Sequence, residues 1–340
     1  MQKILIVGAG AIGGSLACYL SSAGCDVTVA ERSAELAAHI DKNGVKLDLG
    51  KKGRLSASVR AADMAALEDG TFDICFCATR AYSLKAAATS ALPKLKPGAL
   101  VVSMNNGICI DALRETVGDD RAVGCSINYG AGIAGPGSYF IKIHGGLEIG
   151  MAGGQQPERL LQLCKLLGRA VGCKITDNIV GTLYSKMLIN SCITSAALLS
   201  GQTLGRILVR RSGRKLFFRI ISEGCAAASA AGIAVPPYKG KLDYQKLARK
   251  NLAGALYRAA SFLLLGIKYG RRRSATLESL KAGARTETEF YNGYISRLGK
   301  KHGVPTPVND AVCGIIAEIE RDITLINPKN IAAALRGDKA

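Results

Sequence analysis

Short apolar runs recur through the first half of the chain and alternate with segments of helical or turn-rich composition. The first run, Lys3 to Val7, precedes a glycine-rich turn, and Ser15 to Ala23 then has helical composition. Further runs lie at Val27 to Ala30, Phe72 to Ala78, Ala99 to Met104 and Ala122 to Ile127. Strands that alternate with helices predict an α/β domain with a parallel, doubly wound sheet.

The pattern changes further along the chain. Glycine is dense from Tyr129 to Gly154, and strand-like pieces such as Tyr139 to Ile143 predict hairpins or edge strands. After a strand at Cys173 to Thr176, the apolar positions recur with a helical period to the end of the chain. We therefore expect two domains, an α/β domain over residues 1–176 and an all-helical domain over residues 177–340.

Composition and charge narrow the classes of partner. The 340 residues are 48% hydrophobic and 21% charged, as in a chain that folds throughout. The formal net charge of +19 attracts anions, but aromatic residues make up only 5% and tryptophan is absent, which is poor material for stacking on nucleic acid bases. We expect no nucleic acid partner, and no membrane partner because the apolar stretch Ala259 to Ile267 is about half the length that crosses a bilayer.

The cysteines indicate a reducing compartment, and the spacing of the histidines argues against a metal site. The eleven cysteines include no CxxC pair, and most lie in apolar segments, where a free thiol packs as a small hydrophobe. The three histidines, His39, His144 and His302, are far from one another along the chain. We expect a cytoplasmic protein without a metal site.

The turn after the first apolar run has the sequence Gly8-Ala9-Gly10-Ala11-Ile12-Gly13. In this G-x-G-x-x-G spacing the first glycine permits a tight turn, the second lets the backbone approach a pyrophosphate, and the third lets helix and strand pack closely. Backbone N–H groups at the start of the following helix would hold the phosphates. The turn therefore predicts a dinucleotide-binding site.

Charged residues after later strands bear on which dinucleotide is bound. Glu31, at the end of the second strand, would hold a ribose 2′-hydroxyl, whereas the neighbouring Arg32 would accommodate a 2′-phosphate, so these two residues leave the choice open. Arg80, after the strand Phe72 to Ala78, would lie at the carboxyl edge of the sheet, where cofactors bind. A solvated loop cation is the alternative interpretation of Arg80.

A lysine in an apolar helix is the second chemical signal. Lys186, Asn190 and Thr194 are spaced four apart and share one helix face. No Asp or Glu occurs between Asp177 and Glu223, so no carboxylate close in sequence can pair with the lysine. Because an apolar helix is usually buried and a desolvated ammonium releases its proton more readily, Lys186 is a candidate acid for an alkoxide formed by hydride transfer.

Several motifs follow one another along nearly the whole chain. After the glycine turn come Asn106-Gly107, Lys186-x-x-x-Asn190, Thr286-Glu287, Asn292-Gly293 and the tail His302-Gly303-Val304-Pro305-Thr306-Pro307-Val308-Asn309. In this order and spacing they resemble the ketopantoate reductase family. The resemblance implies an N-terminal Rossmann domain and an all-helical C-terminal domain of the 6-phosphogluconate dehydrogenase C-terminal type. It also implies NADPH-dependent reduction of 2-dehydropantoate, or a related branched 2-keto acid, in pantothenate biosynthesis.

The resemblance implies roles for individual residues. Lys186 would be the general acid, and Glu287 would orient the reacting groups or the cofactor. The residues that would bind substrate are Asn106, Lys186, Asn190, Thr194 and Ser274. The cofactor would be held by Gly8, Ala9, Gly10, Ala11, Ile12, Gly13, Arg32, Arg80, Asn106 and Ala131. The two arginines favour NADPH over NAD despite Glu31, and a helix-start acid capped by Thr286 is the alternative interpretation of Glu287.

The chain departs from the family pattern at several polar positions. Where the family has a Ser-Met pair followed by an Asp, this chain has Ala275-Thr276 and Ser279, and Thr194 stands where an asparagine is common. Ser274 is adjacent to the usual serine position, but a shift of one residue on a helix is a rotation of about 100°. These departures leave the identity of the 2-keto acid open.

Two other functions stay open at this point. A hydroxyacid, opine or glycerol-phosphate type dehydrogenase would share the two-domain plan. A redox sensor would bind NADP(H) without turnover and pass the signal to an acidic partner through its basic helices. For the reductase we expect a small-molecule 2-keto acid as partner and a monomer or a homodimer, and no role is assigned to the basic segment Lys268 to Arg273.

Overall fold

The computed structural model describes residues 2–270 and 274–339. These residues divide into two compact units, one ending at Leu183 and the other beginning at Tyr184. The domain boundary after Thr176 stays a prediction. The three arginines of the basic segment, Arg271 to Arg273, lie outside the described residues.

The strands of the described residues all belong to the first unit. They are β1 (Lys3–Val7), β2 (Asp26–Ala30), β3 (Val45–Asp48), β4 (Arg54–Ala57), β5 (Arg60–Ala62), β6 (Phe72–Cys77), β7 (Leu95–Ser103), β8 (Ala122–Ile127), β9 (Gly130–Gly135), β10 (Ser138–Ile143), β11 (Leu147–Met151) and β12 (Cys173–Ile175).

The α-helices are distributed over both units. The first unit contains α1 (Ala11–Ser22), α2 (Ala34–Asn43), α3 (Leu84–Ala91), α4 (Ile110–Val117) and α5 (Glu158–Ala170). Helix α6 (Ile179–Ser200) crosses the division between the units. The second unit adds α7 (Leu204–Val209), α8 (Arg211–Ala230), α9 (Tyr244–Ala248), α10 (Leu252–Tyr269), α11 (Ala275–Lys281), α12 (Asn292–Lys301), α13 (Pro307–Arg321) and α14 (Lys329–Ala334). No helix among the described residues is long and apolar enough to cross a membrane.

The main sheet has eight strands in the order β12-β11-β8-β7-β6-β1-β2-β5. Every neighbouring pair is parallel except β11 on β8. The predicted parallel sheet is thus confirmed, and β1 and β8 begin and end where the apolar runs predict. The chain runs from β1 to β2 and β5 on one side and then returns to β6 on the other side of β1, and this reversal of the strand order creates the crevice where open α/β sheets bind ligands.

A second sheet, in the order β4-β3-β10-β9, was only half predicted. The β9–β10 pair is the expected hairpin, but the apolar pattern of the sequence did not predict β3 and β4. Each of these strands has four residues and buries at most every second one, so neither forms a continuous apolar run. Helix α1 also begins at Ala11 rather than at the predicted Ser15, and it therefore includes Gly13 and Gly14.

A chain of buried polar side chains joins four helices of the second unit. Ser195 of α6 donates to Asn292 Oδ1 of α12 (2.5 Å), and Asn292 Nδ2 donates to Asn309 Oδ1 of α13 (2.9 Å). Asn309 Nδ2 in turn donates to Glu223 of α8 (2.7 Å). Both asparagines are fully buried, where an unpaired amide would be costly, so these bonds fix how the four helices pack.

Glu223 also caps the N-terminus of α13. Its carboxylate accepts the backbone N–H groups of Val308 (3.2 Å) and Asn309 (3.0 Å), and the Arg219 guanidinium lies 3.6 Å away. These groups favour the charged carboxylate, but desolvation outweighs them, and burial raises the pKa of Glu223 above its ordinary value.

We expect this carboxylate to make stability depend on pH. Because the pKa of Glu223 is raised in the folded state, its stabilising contribution is complete below the unfolded value of 4.5 and is lost as pH rises through the raised pKa. The melting temperature of the wild type minus that of Glu223→Gln should therefore fall as the pH rises above about 4.5. Glu318→Gln replaces an exposed carboxylate of α13 and is the control. The difference in melting temperature between the wild type and this variant should not change with pH. A Glu223 difference that grows with pH would contradict the raised pKa.

Candidate active site

The turn between β1 and α1 is held together by direct contact between backbone groups. Gly8 has φ +99°, a conformation that only glycine adopts without strain. A side chain at Gly13 would begin 1.9 Å from the carbonyl oxygen of Gly8. The first and third glycines of the motif thus allow the turn and the close packing of α1, as the spacing predicts.

The second glycine borders open space at the start of α1. Gly10 is the N-cap residue, and no side chain among the described residues caps the helix. A Cβ built at Gly10 would meet no atom within 4 Å. The start of α1 therefore borders an open space, which we call the cradle, and the first N–H groups of a helix beside such a space fit the pyrophosphate of a dinucleotide.

Glu31 reaches into the same turn from the end of β2. Its carboxylate accepts the N–H groups of Ala9 (2.9 Å) and Ser33 (3.1 Å). The neighbouring Arg32 is exposed. An acid and a base thus stand side by side next to the glycine turn, where the sequence left the choice between a ribose hydroxyl and a phosphate open.

Tyr139 of β10 supports the turn from behind. Its hydroxyl donates to the carbonyl oxygen of Ala9 (2.8 Å), and its ring occupies the space that a side chain at Gly14 would need. Burial, and then the negative charge of Glu31, raise the pKa of Tyr139 to about 12, so the hydroxyl remains a donor at neutral pH. Tyr139 was not predicted from the sequence, since the Gly13-Gly14 pair indicates close packing without indicating the partner.

Two of the predicted residues follow strands at the same edge of the main sheet. Arg80 comes after β6 and Asn106 after β7, and both are exposed. The buried Asn105 links these two loops, because it accepts from Ser103 (2.9 Å) and donates to the carbonyl oxygen of Thr79 (2.8 Å). Since β6 is the neighbour of β1, the structure brings Arg80 and Asn106 to the sheet edge that carries the glycine turn.

Ala131 lies in the second sheet rather than at this edge. It is a partly buried residue of β9 and pairs with Ile141 of β10, the strand that carries Tyr139. Its predicted contact with the cofactor stays a prediction.

In the second unit, α6 presents one polar stripe on an otherwise buried helix. From Tyr184 to Ser200 the partly exposed positions are Lys186, Asn190, Ile193 and Thr194, and every other residue is buried. The sequence predicted the shared face of Lys186, Asn190 and Thr194 correctly, but it predicted a buried lysine. Lys186 is partly exposed because its face is the one that the helical core leaves uncovered.

The other two predicted residues of this unit lie outside long helices. Ser274 is the N-cap of α11, and its Oγ accepts the N–H of Leu277 (3.4 Å). Glu287 is partly exposed and directly precedes the short 3-10 turn Thr288–Phe290. Glu287 itself occupies the N-cap position, which the helix-start interpretation gave to Thr286, and its catalytic role stays a prediction.

A cavity of about 430 Å³ in the second unit is separate from these residues. Its lining includes Arg285 and Arg297, which both lie near the Glu289 carboxylate (3.5 and 3.7 Å). Neither the α6 stripe nor Ser274 or Glu287 lines it. Within the described residues, no group of three or more His, Cys, Asp and Glu side chains is arranged to hold a metal ion.

Family sequence models match both parts of the chain. The model described as Ketopantoate reductase PanE/ApbA matches residues 4–154, and that of the Ketopantoate reductase PanE/ApbA C terminal matches residues 178–320. The chain belongs to the ketopantoate reductase family. The two matches cover the glycine turn, the α6 stripe and Glu287.

Individual members of the family are distant in sequence but similar over their whole length. The 2-dehydropantoate 2-reductase of Mesorhizobium japonicum is 26% identical over 94% of this chain and 98% of its own. The 2-dehydropantoate 2-reductase of Pyrococcus horikoshii is 24% identical over 91% of this chain and 94% of its own. The crystal structure of a PanE/ApbA family ketopantoate reductase from Ralstonia eutropha JMP134 has a TM-score of 0.80 at 23% identity, covering 95% of this chain and all of its own.

D-mandelate dehydrogenase with NADH and anilino(oxo)acetate has the same fold. Its ternary structure also has a TM-score of 0.80, at 21% identity over 95% of this chain and 99% of its own. At this identity the likeness shows the fold alone.

A matched pair of glycine substitutions should separate coenzyme binding from folding. We expect Gly10→Ala to fold like the wild type, because nothing lies within 4 Å of its Cβ, yet to raise the KM for coenzyme at least about 10-fold by filling the cradle. Gly13→Ala should instead lower the melting temperature, because its side chain meets the Gly8 carbonyl group. Steady-state kinetics and thermal unfolding check both variants. Unchanged coenzyme affinity in Gly10→Ala would show that the cradle does not hold the pyrophosphate.

Proposed function

We propose that this protein reduces the keto group of 2-dehydropantoate, or of a related branched 2-keto acid, with NADPH. The observation that carries the proposal is the polar stripe of α6, in which Lys186, Asn190 and Thr194 are the partly exposed polar positions of a buried helix. Together with the pyrophosphate cradle at Gly10, it provides one site for a coenzyme and one polar surface for a small anion.

The coenzyme would supply a hydride to the keto carbon when bound. The glycine turn from Gly8 to Gly13 would hold its pyrophosphate with backbone N–H groups. Arg32 and Arg80 would attract its 2′-phosphate, since both side chains are exposed and the described residues contain no carboxylate within ion-pair distance of either. Asn106, at the same sheet edge, would hold the nicotinamide end.

Lys186 would donate the proton that completes the reduction. Its ammonium group would pass a proton to the former carbonyl oxygen and then take up another from solvent, which its partial exposure permits. Asn190, one helical turn further, would hydrogen-bond the substrate, and Glu287 would orient the reacting groups. The positive charge of the lysine would also stabilise negative charge that develops on this oxygen.

Ser274 is the residue that we propose for the substrate carboxylate. As a cap its oxygen accepts the N–H of Leu277, which leaves its hydroxyl hydrogen free to donate. Ala275, at the usual serine position of the family, has no polar group and is exposed. The range of accepted 2-keto acids should therefore depend on Ser274 and Thr194 more than on Ala275.

Replacing Lys186 tests the catalytic assignment. With ketopantoate and NADPH, Lys186→Ala should lower kcat at least about 100-fold, the usual contribution of a general acid, with the melting temperature nearly unchanged. Lys165→Ala, at an exposed helical lysine of α5, is the matched control and should keep wild-type kcat. The assignment would be overturned if the wild type and Lys186→Ala had equally low kcat values on a panel of branched and aromatic 2-keto acids.

One observation favours NADH as the alternative coenzyme. The Glu31 carboxylate lies at the glycine turn, where it would accept a ribose 2′-hydroxyl and repel a 2′-phosphate. If NADPH is the coenzyme, Arg32→Ala should lower kcat/KM for NADPH about 10-fold or more and change that for NADH little. If NADH is the coenzyme, Glu31→Gln should lower kcat/KM for NADH and raise it for NADPH. Measuring both variants with both coenzymes decides between them.

A further inference from the structure

The cavity of about 430 Å³ in the second unit is part of a longer groove between α12 and α13. The segment Arg285 to Glu289 borders this cavity, and a second cavity of about 330 Å³ reaches from it to Pro305. Ser296, Arg297 and Asp310 line both cavities, so the two cavities meet at these residues. We call the two cavities together the α12–α13 groove.

Two arginines beside the groove share one carboxylate. Glu289 lies 3.5 Å from the Arg285 guanidinium and 3.7 Å from that of Arg297, and both distances exceed the length of a charge-assisted hydrogen bond. Arg297 also donates to the backbone carbonyl oxygen of Glu289 (3.1 Å). Because a guanidinium has five N–H donors, Arg297 keeps donors that can bind a negatively charged ligand group.

Two carboxylates of α13 lie in the same groove. Asp310 and Glu320 are both exposed, and no basic side chain among the described residues lies within ion-pair distance of either. Asp310 accepts the hydroxyl of Thr306 (3.4 Å), and Glu320 accepts the backbone N–H of Thr286 (2.7 Å). A positively charged ligand group would therefore bind one of these carboxylates without displacing an ion pair.

Between these two carboxylates the wall of the groove is apolar. Helix α13 presents Cys313, Ile316 and Ala317 to the groove, and Ile316 is buried. Burial, and then the negative charge of Asp310, raise the pKa of Cys313 to about 12, so its thiol is uncharged at neutral pH. From α12, Gly293 lines the groove without a side chain. This part of the groove therefore suits an aliphatic chain.

The charges of the groove distinguish between classes of ligand. A simple anion would be attracted by Arg297 but repelled by Asp310 and Glu320, and a simple cation would be attracted by the carboxylates but repelled by the arginine. A zwitterion has a group of each sign and leaves neither charge without a partner. A volume of about 430 Å³ is near the lower end of the range for small-molecule sites, about 300–1,000 Å³, so the ligand is small.

The groove is in contact with the segment that carries Glu287. Thr286 and Thr288, the two neighbours of Glu287 in sequence, both line the groove, whereas Glu287 does not. The hydroxyl groups of the two threonines hydrogen-bond to each other (3.0 Å), and Glu320 of the groove holds the N–H of Thr286. A ligand in the groove would therefore contact the residues that fix the position of Glu287.

We propose that the α12–α13 groove is an effector site that binds an aliphatic α-amino acid. The carboxylate of the amino acid would bind Arg297, its ammonium group would bind Asp310, and its side chain would pack on the apolar wall of α13. The bound amino acid would act on the reductase through the segment from Thr286 to Thr288. This action rests on the proposed function, whereas the binding itself does not.

Calorimetric titration of the full chain with L-leucine tests the binding. L-Leucine should bind with a Kd of about 1 mM or below. Two analogues, 4-methylpentanoate without the ammonium group and 3-methylbutylamine without the carboxylate, should each bind at least about 10-fold more weakly, because each leaves a charge of the groove unpaired. The proposal would be overturned if L-leucine did not bind at about 10 mM, or if 4-methylpentanoate bound as tightly as L-leucine.

Substitutions locate the bound amino acid. Arg297→Gln and Asp310→Asn should each weaken the binding of L-leucine at least about 10-fold, because each removes one charge-assisted contact. Arg321→Gln and Glu318→Gln, at exposed residues of α13 outside the groove, are the matched controls and should bind L-leucine like the wild type. Lys186→Ala should also bind it like the wild type. If Lys186→Ala lost L-leucine and Arg297→Gln retained it, the amino acid would occupy the proposed active site, and the groove would be excluded.

Steady-state kinetics test the effector role. With ketopantoate and NADPH, saturating L-leucine should change the kcat/KM of the wild type at least about five-fold, the lower end of usual allosteric coupling. The response should be absent in Arg297→Gln and present in Arg321→Gln. L-Leucine that binds the groove and leaves kcat and KM unchanged would overturn the effector role. A wild type that binds L-leucine but reduces no 2-keto acid would contradict the proposed function, and with it the effector role, but not the binding site.

Discussion

Helix α6 can present a polar stripe only because hydrogen bonds inside the helical core fix its other faces. The hydroxyl of Tyr184 donates to the Gly224 carbonyl group of α8 (2.8 Å), and Tyr244 of α9 donates to the carbonyl oxygen of Ser185 (2.5 Å). Ser195 is bonded to Asn292 at the other end of the helix. A rotation of α6 by one residue would break all three bonds, so the directions of Lys186 and Asn190 are set by groups that touch no ligand.

In the first unit the site is positioned differently, by glycines, which have no side chain. Gly13 and Gly14 let α1 pack against the turn and against Tyr139, and the resulting contacts are between backbone and ring atoms. Backbone groups have no side-chain rotamers and the ring of Tyr139 is buried, so these contacts hold the N–H groups at the start of α1 in place before any ligand arrives. A preorganised phosphate site of this kind loses little entropy on binding.

The parts of this structure that could be predicted from sequence are those with local signals. The glycine turn, β1 and the α6 stripe each depend on spacings within a few residues, and they are found where expected. Tyr139 and its acceptor are 130 residues apart, and Ser195 and Asn292 are 97 apart, so no local pattern pairs them. The partial exposure of Lys186 is also a property of the assembled core, because it depends on which face the neighbouring helices cover.

The excess of basic residues and the exposed apolar face of α10 lie in the same segment of the chain. Residues 204–269 contain thirteen Lys and Arg but only two Asp and Glu, and one of these, Glu223, is buried in the cap of α13. Such an excess attracts anionic substrates and coenzymes from a distance, but it also makes two copies repel each other. The exposed face of α10 contains no charged residue between Leu252 and Ile267. Keeping the charges away from this face allows the unit to attract anions without placing a charge among its exposed apolar side chains.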